Sequence, residues 1–370
     1  MKKKYLIVTD FYQPHISGIV TYIDFLIDFL LEKGFCVTII TTKYNKNLES
    51  EEIKNDLKII RCKPFFKLGR GFYSLDLIRK FLIERKKNDF INIHYPLSEI
   101  FPLIFFFNEK INFTYHCLPY YKNIFLKFIQ FYFYIFGIFG MYLSKKIITL
   151  TKDYLLSFKF HKYFKYKITE IPPYVNSEST PLSKKDINES NGHLKIGYLG
   201  RISEEKGLED LIIASNNLNN KGYKNILYIA GNTDDNRFIK YFNKISNIGL
   251  KQNVKFLGLI SNDEKSDFFN SLDLFVLPSI NSFEAFGIVQ LEAMSFGVPV
   301  IASDIAGVRM PIKRTGNGYL FKKGNIDSLI DAIIKINEDK NLSKKKIMKS
   351  CLAKFNIAQF RKKYFYLLEK

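Results

Sequence analysis

"LDLFVLPSINSFEAFGIVQLEAMSFGVPVIAS", residues 272–303, is the stretch on which the fold turns. It opens on an apolar run that ends at Pro278 and Ser279, and it closes on a second run, "VPVIAS". Between them lie a loop, "INSFEAFG", and a helical segment, "IVQLEAMSFG", with a stop at Gly297. Strand, loop, helix and strand in close succession form the unit from which parallel sheets are built.

The loop and the helix each carry one carboxylate, Glu284 and Glu292, eight positions apart. The spacing alone says little, because a chain with this many glutamates holds about one such pair by chance. Glu170 and Glu178 form another, with Pro172 and Pro173 inside it. Context separates the two. At ~1.5 Å per residue, eight helical positions span ~12 Å. That exceeds the ~5–10 Å over which two carboxylates act on one bond. Glu284 and Glu292 therefore suit opposite ends of an elongated ligand better than an acid/base couple. Between them, Phe286, Gly287 and Ile288 offer backbone N–H groups at a helix start, which is a phosphate-binding arrangement. A ligand with a sugar, a diphosphate and a ribose in that order fits.

Working outward, the same alternation recurs on both sides. "KYLIVTD" precedes a helix from about Gly18 to Lys33 that stops at Gly34, and "CVTIITT", "LKIIRC", "FINIHYP", "INFTYHC" and "KKIITLT" follow. "LKIGYLG", "NILYIAG", "NVKFLG", "LDLFVLPS" and "VPVIAS" form a second series. Short apolar runs separated by helical stretches predict two Rossmann-like halves with parallel sheets. "PPYVNSESTPLSKKDINESNGH", rich in Pro, Ser, Asn and charge, reads as the linker between them. The expected organisation is a first domain over 1–175, a linker over 176–193 and a second domain over 194–351. Ligands in such sheets bind at the carboxyl ends of the strands.

Those ends carry the other candidates. "YLGRISEEKG" places Arg201 and Lys206 in the loop after a strand. A guanidinium fork and an ammonium point charge both suit phosphate oxygens, although two exposed basic residues beside a turn explain them as well. "QPHISGIVTY" puts Gly18 between the first strand and the first helix, where backbone can approach a phosphate. His116 in "FTYHCLPY" and His94 in "FINIHYP" hold similar strand-end positions, where a histidine either meets a hydroxyl or fills a structural role. No D-x-D occurs, so a Mg²⁺ or Mn²⁺ bridge is not supported and no metal site is assigned.

Composition sets bounds around these motifs. The 370 residues are 47% hydrophobic, enough for a core in two or three domains. The four scattered cysteines show no C-x-x-C, so neither zinc nor a disulfide framework is indicated and a reducing cytosol fits. The net charge of +20 is uneven: +12 over residues 1–176 (27 basic, 15 acidic), −1 over 177–339 (19 and 20) and +9 over 340–370 (10 and 1). Such an excess meets nucleic acid, an anionic membrane or a phosphorylated substrate, or is solvated surface lysine. The start, "MKKKYLIVTD", has too short an apolar run for a signal peptide and reads as a first strand. The apolar stretch from Ile124 is interrupted at Lys127 and Gln130, and its clean run, Phe131–Leu143, is 13 residues against the ~20 of a bilayer span. It reads as a buried or interfacial helix.

Taken together, "GRISEEKG", residues 272–303 and "GNGYLF" resemble the retaining glycosyltransferases of family 4, which have the GT-B fold, over the length of the chain. The resemblance implies an acceptor-binding first domain and a nucleotide-sugar-binding second domain facing across a cleft. It also implies that the last helix, about 352–370, returns to the first domain. It places Glu292 on the donor ribose. Arg201 and Lys206 hold the diphosphate with backbone at Gly18, Phe286, Gly287 and Ile288. His116 and Glu284 contact the transferred sugar as the catalytic pair, and Leu259 and Ile260 face the base.

The implied reaction is front-face transfer through an oxocarbenium-like state, with Arg201 and Lys206 stabilising the leaving diphosphate without a metal or other cofactor. Three positions depart from the family pattern. Ser17 stands where a glycine is common and implies a stiffer loop, "PPYVN" replaces a "PNGVD"-like turn, and Met310 sits where glutamate is frequent.

The returning tail would bring its +9 to the +12 half, which suggests a cytoplasmic enzyme held peripherally at an anionic membrane, on the inner face. A growing glycan or a lipid-linked sugar would then be the acceptor. Two readings compete. A nucleotide-sugar epimerase of the same fold needs no acceptor. A basic nucleic-acid-binding protein predicts clustered Lys/Arg with stacking aromatics, whereas the aromatics here lie mostly in apolar runs, so nucleic acid is not an expected partner.

Overall fold

In the computed structural model, the described residues are 2–175, 192–231, 236–248, 253–339 and 341–369. The chain divides into two compact units, Met1–Pro173 and Tyr174–Lys370. The expected linker lies outside the described residues except for Gly192 and His193, and so does Glu178 of the second glutamate pair.

The first unit runs β1 (Lys4–Val8), α1 (Gly18–Glu32), β2 (Cys36–Thr42), β3 (Glu51–Lys54), β4 (Leu57–Cys62), β5 (Phe66–Leu68), β6 (Gly71–Tyr73) and α2 (Leu75–Glu84). It continues through β7 (Phe90–Tyr95), α3 (Ile100–Ile104), β8 (Ile111–Tyr115), α4 (Ile124–Leu143), β9 (Lys146–Thr149), α5 (Lys152–Leu156), a 3-10 turn (His161–Lys167) and β10 (Ile168–Glu170). Its main sheet has the order β10-β9-β8-β7-β1-β2-β4-β3. Every pairing in it is parallel except β3 with β4. Interior strands such as β1 and β8 are wholly or almost wholly buried on both faces, as parallel strands covered by helices must be. The polar Asn112 and Thr114 on one face of β8 are buried too, Thr114 donating to Asn92 at 2.8 Å.

The antiparallel β3 and the small β5–β6 hairpin depart from the simple alternation expected. "EEIK" in β3 is short and mostly exposed, and a charged edge strand carries little apolar signal. Ser17, expected to stiffen the loop, has a definite place in the structure. It is the N-cap of α1, and its hydroxyl accepts from Val20 N at 3.3 Å.

The second unit runs β11 (Leu194–Leu199), a 3-10 turn (Glu204–Lys206), α6 (Leu208–Asn220), β12 (Asn225–Ala230), α7 (Asn236–Ile248), β13 (Val254–Gly258), α8 (Asn262–Ser271) and β14 (Leu274–Leu277). After these come α9 (Val289–Ser295), β15 (Val300–Ser303), α10 (Met310–Thr315), β16 (Gly318–Phe321), α11 (Ile326–Glu338), α12 (Lys344–Lys354) and α13 (Ile357–Glu369). The sheet order is β13-β12-β11-β14-β15-β16, parallel throughout. Phe360 of α13 packs edge-on to Tyr174 at 5.1 Å, and Val175 N donates to Phe355 O, so the unit's two chain ends meet.

Among the parallel strands of each sheet the order reverses once, at β1/β7 in the first and at β11/β14 in the second. Loops leaving such neighbours part to opposite faces and open a crevice at the carboxyl edge. Those two edges hold the candidate residues.

Candidate active site

In the second unit, Arg201 and Lys206 follow β11, while Glu284 and the 286–288 backbone follow β14. The two loops are tied together. Ile280 N donates to Glu205 O at 2.9 Å, and Gly207 lies against the carbonyl of Pro278. A Cβ at Gly207 would stand 2.1 Å from that oxygen, and φ there is +66°, so only glycine fits.

The Lys206 ammonium and the Glu284 carboxylate pair directly, both largely buried. The two residues assigned to diphosphate and sugar are thus brought together, 78 positions apart in sequence. Arg201 lies 3.7 Å from the buried Glu205 carboxylate, with its guanidinium over the Phe283 ring at 5.4 Å. A cation flanked by an aromatic face and a carboxylate is held in place while still partly open to solvent.

The loop between Glu284 and α9 is locked from below. The buried Gln290 amide donates to Phe286 O at 2.8 Å and to Val308 O at 3.0 Å. Gly287 has φ +76°, and a Cβ there would lie 2.3 Å from Leu277. With the Phe286 carbonyl occupied by Gln290, the N–H groups of Phe286, Gly287 and Ile288 lead into α9 with no described acceptor. Glu292, on α9, has Lys265 of α8 at 3.7 Å. Leu259 and Ile260 follow β13 on the same carboxyl edge. Leu259 is exposed, and neither residue has a described contact with Arg201, Lys206 or Glu284.

In the first unit, Gly18 opens α1 after β1. Ser17 satisfies Val20 N and Thr21 N, which leaves the N–H groups of Gly18 and Ile19 at the start of the helix. His116 follows β8 and is buried. Its Nε2 lies 2.9 Å from Nδ1 of His94, at the end of β7, and the two rings stack with centroids 5.1 Å apart. Burial pushes the His116 imidazole down to about 3 and His94 well below its usual range, so both are neutral at ordinary pH. In the same unit, Asp10 after β1 accepts from the amide and hydroxyl of Ser98, and burial pushes its carboxyl up to about 7. Glu99 is raised as well, by burial and by the charge of Asp10.

Sequence reasoning missed four supports: Glu205 under Arg201, Phe283 beneath its guanidinium, Gln290 under the loop and Lys265 beside Glu292. Glu205 stands four positions after Arg201, a spacing that could have drawn attention to it. The other three are contacts across elements with no local pattern. A cavity of about 530 Å³, lined by Leu194, Lys224, Asp273 and Pro299, opens at the opposite, amino edge of the second sheet, away from these groups.

Residues 179–350 match the family described as glycosyl transferases group 1. The capsular polysaccharide biosynthesis glycosyltransferase CapM of Staphylococcus aureus is 27% identical over 165 residues, covering 45% of this chain and 42% of CapM. The matched stretches of the first curated relatives span only 39% to 43% of their lengths. Sucrose-phosphate synthase of Thermosynechococcus elongatus has a similar structure, with a TM-score of 0.79 at 19% identity, covering 100% of this chain and 98% of that one. Anabaena HepE, solved in complex with UDP-glucose, has a TM-score of 0.74 at 16% identity, covering 99% and 100%. The chain thus has two α/β units of the GT-B fold, and its segment 179–350, which spans most of the second unit, is similar to the glycosyl transferases group 1 family.

Proposed function

We propose that this chain is a retaining glycosyltransferase. It moves a sugar from a nucleoside-diphosphate-sugar to a hydroxyl of a glycan or lipid-linked acceptor, in the synthesis of a cell-surface polysaccharide or glycolipid. The observation that carries the reading is the Lys206–Glu284 pair at the β11/β14 crevice, with Arg201 beside it and three backbone N–H groups behind it.

The chemistry asks for this arrangement. Departure of a nucleoside diphosphate builds negative charge on the phosphate oxygens in the transition state. Lys206 and Arg201 are positioned to meet it, and fixed cations cost no reorganisation at that moment. Glu284 holds Lys206 in place and offers its second oxygen to a sugar hydroxyl. Glu292, on the helix beyond, takes the ribose. Leu259 and Ile260 take the base from the edge strand. The family resemblance assigns His116 to the transferred sugar and Gly18 to the diphosphate. The proposed step uses no metal, since the chain has no D-x-D and its own cations neutralise the leaving group.

The match to CapM supports a polysaccharide product, and the complex of HepE with UDP-glucose supports a nucleotide-sugar donor. The basic first unit supports an acceptor carried on an anionic membrane, with the enzyme peripheral at its cytoplasmic face.

The test is a thermal-shift panel of UDP-, GDP- and ADP-sugars, followed by proton NMR of the product formed with the donor that binds. Retention of the donor's anomeric configuration supports the proposal. Inversion overturns the mechanism, and conversion of the donor with no acceptor present indicates epimerisation instead.

A further inference from the structure

We infer that one face of α4 is a docking surface for an anionic lipid bilayer, with the helix lying in the plane of the membrane. This deepens the membrane-side reading above and rests on it only for the identity of the acceptor.

The helix has two unlike faces. Gly137 and Gly140 press against the rings of Tyr95 and Phe113, where an added Cβ would come within 3.0 Å and 2.9 Å. Tyr95 also donates its hydroxyl to Phe133 O at 2.7 Å. That face is committed to the sheet. On the other side, Phe128, Phe131, Phe139 and Tyr142 are exposed and recur at helical spacing, with Phe125 exposed at the amino end. Phe105, just after α3 and 71% exposed, extends the patch sideways through Phe101, whose ring lies 4.7 Å from that of Phe136. A contiguous aromatic face of this size is an interaction surface rather than ordinary scatter.

Its surroundings choose the occupant. Residues 110–169 hold ten lysines and one acid, Asp153. The 3-10 turn packed beside α4 adds exposed Lys162, Tyr163, Lys165 and Tyr166. Aromatic residues with a lysine border, on a helix ~30 Å long, match an interfacial helix on acidic lipid. The helix has mean hydropathy 1.6 and enough length to span a bilayer, but its glycine face is already spent on the sheet.

The test is flotation of the full chain with vesicles of phosphatidylglycerol and phosphatidylcholine, or of phosphatidylcholine alone. Wild type should float with the acidic vesicles. The triple variant Phe125→Ser/Phe128→Ser/Phe131→Ser should lose about tenfold or more in partition. Lys162→Glu/Lys165→Glu should lose the preference for acidic lipid. Nucleotide-sugar binding, measured on the same samples, should be unchanged in both. Loss of nucleotide binding in wild type would sink the enzymatic reading and leave the docking surface standing. Equal flotation of the triple variant overturns the docking surface. So does a wild-type dimer that this variant dissociates without any vesicle binding, which would assign the face to a second copy.

A second observation carries an independent proposal: the geometry points to His94 as a positioning residue that fixes His116 as an Nδ1–H donor. This proposal rests on the assignment of His116 to the sugar. One proton lies between His94 Nδ1 and His116 Nε2. His94 Nε2 is buried with no partner among the described residues. If the proton belonged to His116, His94 would carry a buried, unpaired N–H at Nε2, the costlier of the two orphans. The proton therefore sits on His94 Nδ1, His116 Nε2 accepts, and His116 Nδ1–H is left as the outward donor. Nitrogen-15 shifts of the wild-type histidine rings should show His116 protonated at Nδ1. The Nε2–H form overturns the assignment whatever the variants do. His94→Leu should lower kcat about tenfold with little change in donor KM, and His94→Asn, which restores a donor near the Nδ1 position, should recover most of it. Equal losses in both variants would contradict a positioning role.

Discussion

The two switch-point crevices are built from opposite materials. At β11/β14 the groups are charged, paired and part-exposed: Lys206 with Glu284, Arg201 beside Glu205, Glu292 beside Lys265. At β1/β7 and the neighbouring end of β8 they are buried and mostly neutral: His94 against His116, and Asp10 held by Ser98 with Glu99 nearby. On the proposed reading the β11/β14 crevice takes a polyanion and the β1/β7 crevice takes hydroxyls, and the two differ in burial. Cations facing a diphosphate need enough water to exchange partners. Groups that orient a hydroxyl gain from being dry, where a single hydrogen bond counts for more.

The sharpest way to break this comparison is to remove charge from the second crevice. Lys206→Ala should lower kcat by about 10²–10³-fold, as loss of a fixed transition-state partner does. A fall of less than tenfold would mean that Lys206 only holds the loop. Next come the two glutamates. Glu292→Ala should weaken donor binding by roughly tenfold or more with kcat largely kept, since it removes hydrogen bonds from an ionised acceptor. Glu284→Ala should mainly lower turnover. Steady-state kinetics separates them, and the same KM-against-kcat split for both would erase the distinction between sugar end and ribose end.

Gly287→Ala tests the loop itself. It forces a side chain into a left-handed position against Leu277, and should cost about 1–3 kcal/mol in urea unfolding. An unchanged midpoint would show that the loop relaxes freely.

The smallest effect belongs to the dry crevice. Asp10 in the folded state holds its proton up to about 7, against the ordinary 3.8. Folding therefore takes up a proton between those values, and the Asp10 contribution falls as pH rises through the window from about 4 to 7. His116 acts in the opposite sense. Its folded value of about 3 lies below the ordinary 6.5, so its contribution falls as pH drops below 6.5. Asp10→Asn should flatten the first slope in a pH series of urea midpoints and leave the second. A slope that survives the substitution would assign it to Glu99 or elsewhere.

Much of this was legible in sequence. "CVTIITT" and "LKIIRC" are strands over those very residues, and the helix from Gly18 ends one residue before the expected Lys33. Buried parallel strands announce themselves as apolar runs, and glycines after helices mark their ends. Arg201, Lys206 and Glu284 of the second crevice were also legible, because each follows a strand's carboxyl end, whereas their supports Glu205 and Lys265 were not. What was hidden are contacts between distant positions: Lys206 with Glu284, Gln290 with Val308, His94 with His116. No periodicity encodes them. The orientation of α4 was hidden for a different reason. Its aromatic residues run round the helix, so composition could not say which face the sheet takes. Gly137 and Gly140 decide it.

The most direct measurement of the central claim is calorimetric titration of wild type and Glu292→Ala with the UDP-, GDP- and ADP-sugar panel. Saturable binding of a nucleotide-sugar by wild type, weakened by roughly tenfold or more in Glu292→Ala, is the predicted result. No binding of any of them to wild type, or equal binding by both proteins, would contradict the account.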